Sequence, residues 1–200
     1  MGRDHLRLAA WVLAILTICA ISGNHTAYAM DGPRVKAEGW FSKNDPTNPP
    51  NFSTKINFGL TARCDKSGWS TANNTTTCNG SPDGHFEYQN HFSGLKAHGR
   101  ITTLRFEPVM ASDNCVGDPA GDPTLMGKPS AAISGTCDDG SCSFSMKVVD
   151  ADDDASGSPD WVCNVNVTDN KHAPDTSTPT GTMHPAPLNK GDVELTNGRP

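Results

Sequence analysis

Ile133-Ser134-Gly135-Thr136-Cys137-Asp138-Asp139-Gly140-Ser141-Cys142-Ser143-Phe144-Ser145-Met146 is the stretch on which the fold turns. Two alternating segments flank Asp139-Gly140, a dipeptide that favours a tight hairpin because its central positions accept positive φ. A turn centred there sets Cys137 against Cys142, Gly135 against Phe144 and Ile133 against Met146. All six then share one face, since side chains alternate along a strand. A cross-strand disulfide between Cys137 and Cys142 follows directly.

The alternation extends outward from this hairpin. Ile56, Phe58, Leu60 and Ala62 take one face of a strand whose other face carries Lys55, Asn57, Thr61 and Arg63. Gly84–Gln89 and Leu95–Gly99 form a second hairpin, with Phe86 over Gly99 and Tyr88 over Ala97. Ile101 and Leu104 are out of phase for one face, so a bulge is expected between them. Phe144, Met146 and Val148 alternate, as do Trp161, Cys163, Val165 and Val167. Trp40-Phe41 suggests a short early strand and Gly191–Leu195 a last one. Residues 110–130, which include Asp113, Asp118, Asp122 and Pro129, read as a long surface loop. Asp169 to Pro187 is rich in Pro, Thr and His and reads as an insertion over 170–187. With no 3.6-residue apolar repeat beyond the N-terminus, the expected fold is all-β. It is an antiparallel β-sandwich, immunoglobulin-like or related, and disulfide-stapled.

The N-terminus explains the sulfur chemistry. Arg3 and Arg7 precede an almost wholly apolar run from Leu8 to Ile21, and Ala27-Tyr28-Ala29 supplies small residues for cleavage. The run of roughly 14 residues suits a secretory signal peptide and falls short of the ~18–20 that span a bilayer. Residues 1–29 are therefore read as a signal peptide and 30–197 as one exported domain, with no membrane span after cleavage. Seven cysteines become six: Cys64, Cys78, Cys115, Cys137, Cys142 and Cys163. An even set in an exported chain indicates disulfides. Beyond the Cys137–Cys142 bridge, the expectation is that Cys64 and Cys78 close the polar 67–77 loop, leaving Cys115 with Cys163. Chain entropy assigns about 2 kcal/mol to the tight hairpin bridge and about 3 to the 64–78 loop.

Composition narrows the functional classes. A net charge of −6 with 16 scattered basic residues argues against nucleic-acid binding. With 19 glycines and 15 prolines in 200 residues, the chain carries much turn and loop. Gly-x-Ser-x-Gly, His-Glu-x-x-His and phosphate-cradling glycine loops do not occur. Glu87 and Glu107 could act as paired carboxylates only if the fold brought them together. Asp150, Asp152 and Asp154 have the spacing that begins a calcium loop, and Asp160 could contribute. Ala155 replaces the turn glycine and Trp161 stands where a bidentate Glu belongs, so a solubilising loop is the favoured reading. His85, His91 and His98 flank the second hairpin and could hold zinc or copper, against the plainer reading of surface polarity. No cofactor is expected apart from a weakly indicated calcium ion.

Gly84-His85-Phe86-Glu87-Tyr88, Asn90-His91, Gly94-Leu95-Lys96 and Ile101-Thr102 resemble the domains that follow choice-of-anchor regions in bacterial exported proteins, the post-choice-of-anchor family. Phe144 to Asp150 with Trp161 to Asp169, and Leu188 to Leu195, are similar to its late hairpin and closing strand. The resemblance covers roughly residues 36–196 and departs in the six cysteines, the 110–130 loop and the 170–187 insertion. It implies a bacterial exported β-domain and supplies no active site. The sequons at Asn51, Asn74 and Asn166 would then be chance matches. No Leu-Pro-x-Thr-Gly sorting motif is present.

Taken together, these features lead to a secreted or periplasmic, non-catalytic interaction or structural module. Its partner would be a protein or a glycan. The alternatives are a metal-dependent binding domain and an envelope hydrolase without a recognisable motif.

Overall fold

A computed structural model describes residues 32–42, 55–65, 68–91, 93–117, 121–151, 159–169 and 186–196. The signal peptide expected over 1–29 falls outside them, as do residues 170–185 of the insertion expected over 170–187, whose last two residues are described and form a short strand. Among the described residues there are eleven strands: β1 (Arg34–Ser42), β2 (Lys55–Arg63), β3 (Trp69–Ala72), β4 (Thr75–Cys78), β5 (Asp83–Asn90), β6 (Lys96–Pro108), β7 (Pro129–Cys137), β8 (Cys142–Val149), β9 (Trp161–Asp169), β10 (Ala186–Pro187) and β11 (Lys190–Thr196). One helical turn, α1 (Asn114–Gly117), and a 3-10 turn at Pro123–Leu125 lie between β6 and β7.

The sheet is antiparallel and continuous, in the order β10-β9-β8-β7-β6-β5-β2-β1-β11, with the β3–β4 hairpin attached through β4 to β6. It is curled into a half-barrel, and this strand path does not show the two stacked sheets of a sandwich. The connectivity demands the curl. β10 and β11 lie at opposite ends of the strand order, yet only Leu188 and Asn189 separate them. Three peptide steps reach at most about 11 Å, so the two edges must come that close.

Both hairpin registers agree with the sequence reading. Gly135 pairs with Phe144 and Ile133 with Met146; Phe86 pairs with Gly99 and Tyr88 with Ala97. The expected bulge falls between Ile101 and Thr103. Phe86 and Phe144 stack at 4.1 Å inside the curl, over Gly99 and Gly135. A Cβ at Gly135 would run into the Arg100 carbonyl and the Phe144 ring, so the close approach requires glycine there. The 137–142 turn differs from expectation in its backbone. Of Asp139 and Gly140, only Gly140 takes positive φ, and the Gly140 N–H donates to the Cys137 carbonyl.

Three disulfides join Cys64 to Cys78, Cys115 to Cys163 and Cys137 to Cys142, with Cα–Cα separations of 5.1, 4.7 and 5.0 Å. Such staples suit an oxidising compartment. No helix among the described residues is long and apolar enough to cross a membrane.

Three local expectations are corrected. Within the loop expected over 67–77, residues 69–77 belong to the β3–β4 hairpin, which turns on Asn73-Asn74, both at positive φ. The 110–130 segment is more than a surface loop: Val109, Cys115 and Leu125 are buried beneath it with Val149, Ala151, Trp161 and Cys163 as a second apolar cluster. Finally, Trp161, Cys163, Val165 and Val167 do not share one face. β9 shifts register between the partners of Lys147 and Val148, leaving Cys163 as the extra residue. Val162 and Val165 therefore enter the main core, while Trp161 and Cys163 turn to the second.

Candidate functional site

The calcium-loop candidates divide. Asp152 and Asp154 lie outside the described residues. Asp150 and Asp160 are buried at the seam between the β8–β9 connection and β11. Asp160 Oδ1 accepts the Ala151 N–H at 2.9 Å and Oδ2 accepts the Val193 N–H at 2.6 Å. The Asp160 carbonyl accepts from Leu188, and Asp150 Oδ2 receives the Leu195 N–H at 3.4 Å. β11 has β1 along one side; along the other, N–H groups that a further strand would have paired are taken by two carboxylates. A buried carboxylate needs such donors to offset lost hydration.

The histidines lie on the outer face of the β5–β6 hairpin, as alternation requires. His98 pairs across strands with Glu87, and His85 with Arg100. His98 Nδ1 lies 2.6 Å from Asp138 Oδ2, and its Nε2 lies 3.8 Å from Glu87 Oε1. The carboxylates thus sit at opposite edges of the ring and cannot meet on one ion with it. His91 is elsewhere, its Nε2 2.7 Å from Asn57 Nδ2. Among the described residues no three His, Cys, Asp or Glu side chains gather as a metal set.

An open groove of about 550 Å³ runs beside these residues, lined in part by Asp83, His85, Arg100, Thr102 and Asp138. A second depression of about 160 Å³ lies across His85, bounded by Lys36, Glu38, Thr61 and Glu87. Gly59 lies in it, and a Cβ there would touch nothing within 4 Å. Charges around both hollows are paired: Arg63 with Asp83 at 2.9 Å and Arg100 with Asp138 at 3.7 Å at the first, and Lys36 with Glu38 at 3.7 Å at the second. Such a face offers hydrogen-bond donors and acceptors in alternation without a strong net field.

Glu87 and Glu107 are not brought together. Glu87 faces His98, and Glu107 lies nine residues further along β6, about 30 Å of extended chain. Glu107 instead joins a cluster that the sequence reading missed. Lys147 Nζ lies 2.9 Å from Glu107 Oε1 and 2.6 Å from Asp113 Oδ2, and Arg105 Nε lies 2.8 Å from Glu107 Oε2. Alternation puts Lys147 on the outer face of β8, and residues of 109–117 and 121–128 then cover that face. The available signal was a lone lysine amid the largely apolar Phe144–Val149 run; its partners Glu107 and Asp113 lie 40 and 34 residues away along the chain.

Comparison with known protein families, curated proteins and solved structures finds no match to this chain.

Proposed function

We propose that this chain is an exported, non-catalytic β-module that binds a polar partner, a protein segment or a glycan, at the cell envelope or outside the cell. The carrying observation is the outer β1–β2–β5–β6 face. Two adjoining hollows meet at His85, and the charged groups around them are exposed and paired with one another rather than buried and poised for proton transfer. The three disulfides support an address in an oxidising compartment. The signal-like N-terminus and the likeness of residues 84–102 to the post-choice-of-anchor hairpin agree with that address. The module needs only the antiparallel sheet and its staples; a two-sheet, immunoglobulin-like arrangement is not required. Recovering the expressed chain from medium, envelope and cytosol, and sequencing its N-terminus, tests the export. A mature chain beginning at Met30 outside the cytosol is expected, and an uncleaved cytosolic chain would refute it.

A metal-dependent reading is the second one, and it rests on the spacing of Asp150, Asp152 and Asp154 in the sequence. Calorimetric titration with Ca²⁺ and Zn²⁺, beside an Asp152→Ala/Asp154→Ala variant, separates it from the first. Heat that the variant loses would establish the metal, and no heat with an unshifted Tm would remove it.

A further inference from the structure

Lys147 is an amine held between two carboxyl groups inside a folded chain. Its side chain is 7% exposed, against 12% for Glu107 and 21% for Asp113. Desolvating an ammonium is costly unless its partners are close and well oriented, and here the orientation is covalently enforced. Asp113 stands two residues before Cys115, whose disulfide ties it to Cys163. Cys163 precedes Asn164, the cross-strand partner of Lys147. The Asp113 carboxylate is further fixed by the Met110 N–H at 2.7 Å, while the Asp113 N–H returns to the Met110 carbonyl. An acyl group and an amine restrained in this way gain the large effective concentration of an intramolecular reaction.

We propose that Lys147 and Asp113 condense to an intramolecular amide, with Glu107 as the proton-transfer group. The Lys147 ammonium passes a proton to Glu107, and the freed Nζ lone pair attacks Asp113 Cγ. The C–N bond forms, the Cγ–Oδ bond breaks, and the oxygen leaves as water. That water takes the proton held by Glu107 and a second from the attacking nitrogen. An ammonium and a carboxylate enter, a neutral amide and one water leave, and Glu107 ends as it began. No oxidant or co-reactant is consumed. Arg105 gives the arrangement its economy: once Lys147 is neutral, Glu107 keeps a cationic partner at 2.8 Å instead of standing alone in a buried site.

The test is the mass of the folded, exported protein after reduction and denaturation, followed by fragment sequencing. The chain is expected to lack one water, about 18 Da, with the deficit placed on Asp113 and Lys147. Lys147→Arg, which keeps the charge but cannot form this bond, should restore the full mass. Glu107→Gln should do so while keeping the wild-type circular dichroism. A full-mass wild-type chain overturns the proposal. So does a deficit that persists in Lys147→Arg and maps to Asp139-Gly140, which would be a local cyclisation of that turn. A deficit retained in Glu107→Gln overturns the role of Glu107.

Discussion

At the scale of single residues, the seam rests on Asp160. Its carboxylate is buried and accepts backbone N–H groups from two separate segments. Asp160→Ala should cost about 3 kcal/mol, measured by urea denaturation. A loss below about 1 kcal/mol would show that the seam does not depend on it. Tyr88 gives a pH signature. Burial pushes its phenol well above the usual tyrosine range, and the hydrogen bond to Asn90 only partly offsets this. The unfolded chain therefore releases that proton first, so the contribution is intact below pH ~10 and declines as pH rises above it. In Tyr88→Phe the decline should be shallower; an unchanged alkaline slope would contradict this origin. Two glycines should respond in opposite ways. Gly135→Val drives a side chain into the Arg100 carbonyl and the Phe144 ring and should cost about 3 kcal/mol. Gly59→Thr meets open space and should gain up to about 1 kcal/mol, a contrast readable from two melting curves. Equal losses at the two sites would refute the distinction.

Elements are held by two different cores. The main one fills the curl, with Phe41, Phe86, Phe106, Leu104 and Met146 among its most buried members. The smaller one lies on the outside of β8 and β9 under the 109–128 segment, tethered by Cys115–Cys163. For a separation of 48 residues, chain entropy attributes about 4 kcal/mol to that bridge. A Cys115→Ser/Cys163→Ser variant should accordingly lose stability and lift this segment. Hydrogen exchange should quicken across 109–128 while β1, β2 and β5 keep their protection, and uniform quickening would mean that the two cores are one cooperative unit. The hairpins were legible in the sequence because a period of two and a turn dipeptide are local signals. The bulge at Ile101–Thr103 was legible for the same reason, since Ile101 and Leu104 break phase within four residues. The bulge at Cys163 was not. Trp161, Cys163, Val165 and Val167 alternate without a break, and only the presence of a second apolar cluster on the other face explains the phase change. Asn73-Asn74 was a readable turn signal, hidden by the polar residues around it.

Across the described residues the sheet is curled into a half-barrel, and its last connection brings β10 and β11 together. Leu188 N–H reaches the carbonyl of Asp160, just before β9, and Asn189 N–H the Trp40 carbonyl in β1, so the two-residue link is bonded towards both ends of the strand order. That closure could not be read from the sequence, because it depends on which strands β10 and β11 choose as neighbours. The candidate site was legible only in part. The outward placement of His85 and His98 followed from alternation, and the same hairpin register sets Arg100 opposite His85, whereas Asp138 and the hollow at Gly59 needed the order of the neighbouring strands. Asp150 and Asp160 stood out as carboxylates in the sequence, but their backbone partners on β11 lie at least 33 residues away along the chain. All of this depends on a curled sheet whose distant segments are fixed by three particular sulfur bridges. Peptide mapping of the unreduced protein, recovered from an oxidising compartment, tests that most directly. The expected map holds the linked pairs Cys64–Cys78, Cys115–Cys163 and Cys137–Cys142 with no free thiol among them; free thiols at these positions, or any other pairing, would overturn the curled, stapled sheet.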